Sequence, residues 1–374
     1  MIEIDDKTFL RLAQAYKRST AYFLKDGSTY KLHATPATQV AQYAISVQRI
    51  ALDIVSTNEL PFEWRVHKDG YVELFLDSLG DLILGLLIRI DRDEFADSFP
   101  LYEFNPLWGR LLTMIDERQL IAKARSPIWK QDGEALCSLV DDLNLFIHDF
   151  RQECRSDQFA SLLKGYMNRS SKNEHALRQL IDGAFERCSR IMAVRMNVGY
   201  KTYPDLLPNG QWSIELDTAI AHRETLMQVL KHAFRDSLIS CAWKLEHCLE
   251  KGYGFHLLLL FDASKHSDDI AAGKAIGEAW DGEVTKGAGF NCCYNVSKGK
   301  LNFDYLGVIS RRHTKIIRLF TDRVVSYLAE GDYFMKIRSD MEDQAFGTVS
   351  VAAAGSPSIE RAGFDASLVQ PSTL

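Results

Sequence analysis

The spacing of apolar residues predicts a chain that begins with helices. Apolar positions recur at helical intervals in residues 1–55, and again over Leu107–Lys123 and Gly133–Phe150. Between these segments, Pro61–Ile90 has a strand-like pattern with a turn at Lys68-Asp69-Gly70, which predicts a hairpin. We therefore expect residues 1–150 to form a helix-rich mixed α/β domain with one hairpin.

The second half alternates between strand and helix patterns. Strands are predicted at Arg190–Gly199, Ser240–His247, Gly254–Phe261 and Gly289–Val296, and helices at Ala221–Leu238, His266–Trp280 and Thr314–Ala329. The order β-α-β-β-α-β predicts an α+β fold with a split βαβ, or ferredoxin-like, antiparallel sheet. The four leucines Leu257–Leu260 predict that their strand is central and buried on both faces.

Polar and weakly patterned stretches suggest the domain boundaries. Arg151–Asn173 is polar and predicts a linker, which we place at residues 151–175. The sheet domain then spans residues 176–346. After Phe346 the residues are small and show no clear period, so residues 347–374 are expected to form a disordered tail.

Composition narrows the class of protein. The net charge of −6 and the pI near 6.0 argue against a general nucleic-acid coat, which would be basic. Seven cysteines without a CxxC pair favour reduced thiols over a disulfide framework or a zinc site. The acidic start Met1–Asp6 does not resemble a signal peptide, and no apolar run approaches the roughly 20 residues that span a bilayer. We expect a soluble cytoplasmic protein with no membrane association.

One histidine stands out on the predicted sheet. At a period of two, His256 shares a strand face with Gly254 and Leu258, and Glu246 lies on the neighbouring strand. Imidazole nitrogen and carboxylate oxygen are common donors to a divalent cation, so this pair is a candidate metal site. The alternative is a half-buried histidine that is hydrogen-bonded at a sheet edge.

Several short motifs in this half resemble one family. Glu246, the Gly252-Tyr253 turn, and His256 before an aliphatic run that ends in Phe261-Asp262 form the first. The others are Ile276-Gly277-Glu278-Ala279-Trp280 with Thr285-Lys286-Gly287-Ala288-Gly289, and Ser326-Tyr327-Leu328 followed by Asp332-Tyr333. They resemble the inovirus gene II replication protein family, known in prophage-encoded proteins as the YagK/YfjJ domain, over roughly residues 176–346.

The resemblance implies rolling-circle initiation by an enzyme like the HUH nucleases. It assigns His256 as a ligand of Mg²⁺ or Mn²⁺, Glu246 as a supporting ligand, and Tyr327 as the nucleophile that attacks a DNA phosphate. Two positions depart from the pattern: Gly254 stands where a first histidine is expected, and Glu330 stands where a lysine should follow the tyrosine. Both changes predict that nicking is weakened or lost. Tyr327 can also be interpreted as a core aromatic of an amphipathic helix.

A basic run precedes the last helix. Arg311, Arg312, Lys315 and Arg318 lie within eight residues and could contact several phosphates of a polyanion. The alternative is a solvated loop and helix start, although cations are unfavourable at that end of a helix.

Two functions follow from these observations. The first is a prophage or mobile-element protein resembling replication initiators, which binds single-stranded or origin DNA and whose degenerate site has weakened or lost a metal-dependent nicking activity. The second is a non-enzymatic DNA- or partner-binding module, with residues 1–150 recruiting a protein partner.

Overall fold

The computed structural model describes residues 5–20, 22–26, 29–33, 36–90, 99, 101–201, 214–248, 252–299, 305–338 and 345–351, without the side chains of residues 15–41, 248 and 297. The described part of the first half is mostly helical. Its elements are α1 (Asp6–Thr20), β1 (Tyr22–Asp26), β2 (Thr29–His33), α2 (Pro36–Ser56), β3 (Phe62–Val66), β4 (Val72–Leu76), α3 (Ser78–Arg89), β5 (Tyr102–Phe104), α4 (Pro106–Glu117), α5 (Leu120–Arg125) and α6 (Gly133–Cys154).

The second half is a sheet with helices on both faces. A long helix leads into it, and the elements are α7 (Asp157–Arg187), β6 (Arg190–Tyr200), α8 (Leu216–Ala233), β7 (Leu238–Cys248), β8 (Gly252–Asp262), α9 (Asp269–Glu278), β9 (Gly289–Cys293), β10 (Gly307–Ser310), α10 (Thr314–Leu328), β11 (Met335–Ile337) and β12 (Phe346–Ser350). The chain therefore has the mixed α/β character and the antiparallel pairing expected of an α+β protein.

Every pairing described in the large sheet is antiparallel. The strand order is β10-β6-β8-β7-β12, and β9 also pairs with β6. β10 and β9 share one edge of β6, because β10 pairs with its first residues and β9 with its last. The leucine-rich strand β8 lies between β6 and β7, and Leu257–Leu260 are at most 1% exposed. The prediction of a central strand that is buried on both faces is confirmed.

Helices cover both faces of the sheet, and the face under α10 also holds polar strand residues. On one face α8 and α9 pack against apolar strand residues such as Met196 and Leu259. On the other face α7 and α10 pack against Ala193, Leu258 and Leu260. Because side chains alternate along a strand, Arg195, Asn197 and His256 lie on this second face, under α10.

Two predicted boundaries are wrong. The stretch expected to be a linker is helical: α6 continues to Cys154, and α7 starts after Ser156, whose hydroxyl accepts a hydrogen bond from the amide of Phe159. The helix α7 runs from the first core, which contains Phe159, into the core of the sheet, which contains Leu177. At the other end, β12 pairs with β7 as far as Ser350, so residues 347–350, predicted to belong to a disordered tail, form a strand of the sheet.

The segment Glu330–Ile337 joins the two halves. Tyr333, Phe334 and Met335 belong to the core of the first half, although they follow α10 in the chain. Asn105 donates its side-chain amide to the carbonyl of Tyr333 over 2.8 Å, and β11 pairs with β5. These contacts tie the sheet to the N-terminal helices through buried backbone.

One predicted strand pattern is partly a helix. Pro61–Ile90 does contain the hairpin β3–β4, but Ser78–Arg89 is helical and begins at the side-chain cap Asp77. Among the described residues, no helix has both the length and the apolar character needed to cross a membrane.

Candidate functional site

Three residues named by the motifs meet at one point of the sheet. The Tyr327 hydroxyl, near the end of α10, contacts Nδ1 of His256 and lies 3.1 Å from its Nε2. The two rings meet edge to face with centroids 4.6 Å apart. Nε2 of His256 contacts the carboxylate of Glu246 on β7. The chain thus forms a line of contacts from phenol to imidazole to carboxylate.

The register of the sheet explains this convergence. Lys244 lies opposite His256 across β7 and β8, and Glu246 lies opposite Gly254 one step further along the same face. The carboxylate of Glu246 therefore reaches His256 diagonally, over the bare backbone of Gly254. Tyr327 reaches the pair because α10 packs across this face with Val324 and Leu328 buried against it.

The motifs missed Asn197, which completes the polar cluster. Asn197 lies directly opposite His256 on β6. Its Oδ1 lies 3.1 Å from the Tyr327 hydroxyl and contacts Nδ1 of His256, and its Nδ2 donates to the hydroxyl of Tyr294 over 2.9 Å. The alternation along β6 placed Asn197 on one strand face, but its register with His256 was not readable from the sequence.

Arg195 is a second residue that the sequence did not single out. Its guanidinium carbon lies 3.4 Å from the ring centroid of Tyr327 and 4.2 Å from that of Tyr294. The side chain is buried, with the residue 7% exposed. A cation over an aromatic face is attracted by the quadrupole of the ring, so the two phenol rings orient the guanidinium.

Burial sets the protonation states of the site. It raises the pKa of Tyr327 well above the usual value, and the nearby charge of Arg195 opposes that rise. Burial lowers the pKa of His256, assisted by Arg195 and Lys244 and opposed by Glu246. At neutral pH a neutral phenol therefore faces a neutral imidazole, which is a proton donor beside a proton acceptor. In the tautomer with the proton on Nε2, directed at Glu246, the lone pair of Nδ1 faces the Tyr327 hydroxyl; in the other tautomer Nδ1 donates to Oδ1 of Asn197.

The site is closed on the helix side and open at Glu246. Tyr327 is 6% exposed and His256 is 2% exposed, whereas the side chain of Glu246 is 31% exposed. A cavity of about 10 Å³ adjoins the site and is lined by Arg195, Tyr305 and Tyr327 among others. Such a cavity has room for about one water molecule. A group of nucleotide size does not fit beside Tyr327 in this arrangement.

The implied Mg²⁺ or Mn²⁺ does not fit the donors that are present. His256 and Glu246 supply one nitrogen and one carboxylate that already contact each other, and Gly254 supplies no ligand. In the described part of the chain, no group of three or more His, Cys, Asp or Glu side chains lies together as a metal site would. The cationic Arg195 and Lys244 lie close by and disfavour a further positive charge.

Neither His247 nor Gly254 supplies the missing ligand of the implied metal. His247 lies on the opposite face of β7, where its ring packs on Tyr253 with centroids 4.6 Å apart. At Gly254 an added Cβ would lie 3.1 Å from the carbonyl oxygen of Val198, which is closer than most such contacts. A histidine at position 254 therefore requires a small shift of β6.

Glu330 pairs away from Tyr327, contrary to the repulsion expected from its position. Its carboxylate pairs with Arg11 of α1, and the side chain is 8% exposed. Two residues later, Asp332 pairs with Lys244 over 2.6 Å. The acidic residues after Tyr327 therefore hold the N-terminal helix and β7 in place.

The motif around Trp280 is part of the scaffold. Trp280 is fully buried and donates its indole hydrogen to the carbonyl of Gly199 over 2.6 Å. Thr285 donates to the carbonyl of Trp280 over 2.8 Å, and the turn that follows places Lys286 and Gly287 at φ of 54° and 93°. Glycine is the residue that adopts such a backbone at little cost, which explains the glycine of this motif.

The predicted basic patch lies on the surface at the start of α10. Arg311, Arg312, Lys315 and Arg318 are all exposed. Arg311 donates to the carbonyl of Phe185 over 3.1 Å, so its position is fixed, while the side chain of Arg318 is 87% exposed. Nine residues separate Arg318 from Tyr327, or about 14 Å of helix. The patch and the buried cluster therefore share one helix but are not one pocket.

Comparisons with known proteins do not assign this chain to a family. No protein-family model, no curated protein and no solved structure matches this chain.

Proposed function

We propose that this protein processes DNA strands, with Tyr327 as the nucleophile of a transesterification and His256 as its general base. The observation that carries the proposal is the line of contacts from the Tyr327 hydroxyl through His256 to Glu246. A nucleophile, a base and a group that orients the base are the parts required for nucleophilic catalysis. The three residues come from three separate elements, and the sequence motifs name all of them.

The chemistry needs only the side chains, the DNA and solvent. The Oη atom of Tyr327 attacks the phosphorus, and its proton passes to Nδ1 of His256. The imidazolium is stabilised by Glu246, and the deoxyribose oxygen leaves on the side of phosphorus opposite Tyr327, where it takes a proton from solvent. The product is a phosphotyrosine ester and a free hydroxyl, and the ester keeps the bond energy for rejoining. Mg²⁺ or Mn²⁺ is the cofactor that the family resemblance implies, and no step of this chemistry passes through it.

The arrangement of the sheet supports the same proposal. The strands β6, β7, β8 and β9 follow the order β9-β6-β8-β7 across the sheet, with α8 and α9 as the crossovers. A split βαβ, or ferredoxin-like, sheet has the same strand order, which supports the proposal. We propose that it corresponds to the catalytic sheet of the replication initiators that the motifs resemble.

The basic patch supports DNA as the substrate. Four exposed cations surround the start of α10, and the helix begins at His313 without a side-chain cap. The first amide groups of the helix therefore add partial positive charge to the same surface. A single strand that contacts this patch would extend along α10 toward Tyr327.

A second candidate is DNA binding without cleavage. It is favoured by the burial of Tyr327 at 6% exposure and by the raised pKa of its phenol. In that case the polar cluster under α10 is a structural network, and only the surface patch contacts DNA.

The test is formation of a covalent protein–DNA adduct. Supercoiled plasmid and circular single-stranded DNA are each incubated with the full chain in Mn²⁺, in Mg²⁺ and in EDTA, and adducts are separated under denaturing conditions. The proposal expects an adduct that is lost in Tyr327→Phe and retained in Tyr333→Phe, a matched change at another buried tyrosine. DNA binding without an adduct in any condition would favour the second candidate.

A further inference from the structure

A buried arginine lies beside the hydroxyl-bearing ring of the proposed nucleophile. Arg195 is held between the rings of Tyr327 and Tyr294, with its guanidinium carbon 3.4 Å and 4.2 Å from their centroids. Its neighbours on the same face of β6 include the apolar Ile191 and Ala193. Burying a charge among apolar residues costs free energy, so an arginine at this position suggests a function that an apolar side chain could not perform.

A buried network fixes the backbone at this arginine. The amide of Arg195 donates to Oδ1 of Asn295 over 3.0 Å. Nδ2 of Asn295 donates to the carbonyl of Ala193 over 2.8 Å and to Asp269 over 2.7 Å. Lys298 also pairs with Asp269, over 2.8 Å. The guanidinium therefore projects from a strand position that is held from both sides.

Two other charged side chains near the site form ion pairs that hold elements of the fold together. Lys244, which lies opposite His256, pairs with Asp332 over 2.6 Å. The position after Tyr327 where the family pattern has a lysine holds Glu330, which pairs with Arg11. Arg195 thus supplies positive charge at the Tyr327 ring from β6, where the helix itself supplies none.

A small and mostly apolar cavity lies beside Arg195. Arg195, Tyr305 and Tyr327 line the cavity of about 10 Å³. Because Leu257, Leu258, Val324 and Leu328 complete its lining, this closed cavity does not hold a phosphate, and a phosphate would contact the guanidinium only when α10 moves. A guanidinium can donate two parallel hydrogen bonds to a phosphate, which a lysine ammonium cannot do.

We infer that Arg195 binds the scissile phosphodiester during attack by Tyr327 and replaces the lysine that α10 lacks. This role rests on the proposed function, and it makes Arg195 the residue that stabilises the negative charge of the transition state. As Oη adds to phosphorus, negative charge grows on the two non-bridging oxygens, and a donor already in place stabilises that charge. The arginine takes no part in the proton transfer, which stays between Tyr327 and His256.

The experiment separates charge stabilisation from folding. The cleavage position is first mapped with the wild type, and an oligonucleotide is made with either a phosphodiester or an uncharged methylphosphonate at that position. Adduct rates are measured for the wild type, Arg195→Ala and Arg195→Lys. The matched control is Arg223→Ala, because Arg223 is also buried and stacked on aromatic rings, but on the other face of the sheet.

We expect Arg195→Ala to slow adduct formation on the phosphodiester by about 100- to 1000-fold, as the loss of one oxyanion donor does elsewhere. On the methylphosphonate the same variant and the wild type should agree within about tenfold, because the charge is gone. Added guanidinium should restore part of the rate in Arg195→Ala, and Arg223→Ala should slow both substrates equally or neither.

Three results would overturn the inference, and they are distinguishable from one another. A wild type that forms adducts while Arg195→Ala forms them equally fast removes Arg195 but leaves the proposed function. A wild type that forms no adduct in any condition removes both. Equal loss of rate on the charged and the uncharged substrate, without rescue by guanidinium, would show a purely structural role for Arg195.

Discussion

The carboxylate of Glu330 pairs with Arg11, a residue 319 positions earlier in the chain. This contact gives the glutamate after Tyr327 a structural role, and it changes what a substitution there would do. A lysine at position 330 would not reach a phosphate at Tyr327. It would place two like charges together at a position that is 8% exposed.

We therefore predict that Glu330→Lys lowers the free energy of unfolding by about 1–3 kcal/mol, since a buried partner is removed and a like charge is added. Chemical denaturation measures the decrease. Arg11→Ala should cost less, because it removes the pair without placing a second cation at a buried position. A stable Glu330→Lys variant with faster adduct formation would show that position 330 faces the nucleophile after all.

A second ion pair ties the same segment to the sheet. Lys244 and Asp332 have side chains 13% and 9% exposed, with Nζ and Oδ1 2.6 Å apart. Lys244→Met leaves Asp332 buried without its cation, which costs about 3–5 kcal/mol for pairs of this kind. Adding Asp332→Asn should recover part of that stability, so a double-mutant cycle by denaturant unfolding measures the coupling. Additive effects of the two substitutions would contradict a direct pair.

His247 predicts a dependence of stability on pH. Burial lowers its pKa from 6.5 to about 4, and the residue is 7% exposed. The unfolded chain then binds more protons than the folded one below pH 6.5, so this contribution to stability is full above pH 6.5 and is lost as the pH falls to about 4. The decrease in stability is about 3 kcal/mol at most.

The matched variant for this prediction is His247→Phe, which keeps a ring against Tyr253 and cannot titrate. Unfolding free energies measured from pH 7 down to pH 4 should fall less steeply for the variant than for the wild type. Parallel curves would mean that His247 is not the group responsible.

The surface patch predicts binding that depends strongly on salt. Changing Arg311, Arg312, Lys315 and Arg318 to alanine should weaken DNA binding about equally for all sequences. The slope of log affinity against log salt should become shallower by about 0.7–0.9 for each phosphate that the variant no longer neutralises. Fluorescence anisotropy with labelled single strands measures both. The control replaces four exposed cations of the first half, namely Arg65, Lys68, Lys123 and Lys130. An equal weakening in both variants would point to net charge alone.

The sequence predicted the centre of the sheet well because its signals there are local. The run Leu257–Leu260 predicts burial on both faces, because successive side chains of a strand point to opposite faces of the sheet. The same alternation predicted which residues of β6 and of β8 share a face. Motifs separated by 71 residues placed His256 and Tyr327 in one site, and the structure brings them into contact. The chemical role given to each residue remains a prediction.

What the sequence did not predict depends on distant partners. Asn197 and Arg195 join the site through strand register and through the packing of α10, neither of which a local pattern encodes. The polar run Asn168–Asn173 resembles a loop, yet Arg169 is buried in α7 because its guanidinium donates to the carbonyl of Ile337 over 2.7 Å. Tertiary contacts of this kind override local composition.

Peptide mapping of the DNA adduct tests the central claim most directly. After digestion with trypsin and nuclease, the account predicts a nucleotide on the peptide Val324–Lys336, with fragmentation placing it on Tyr327 and not on Tyr333. His256→Ala should abolish the modified peptide while DNA binding persists. A nucleotide on another tyrosine, or a wild type that binds DNA and yields no modified peptide, would contradict Tyr327 as the nucleophile.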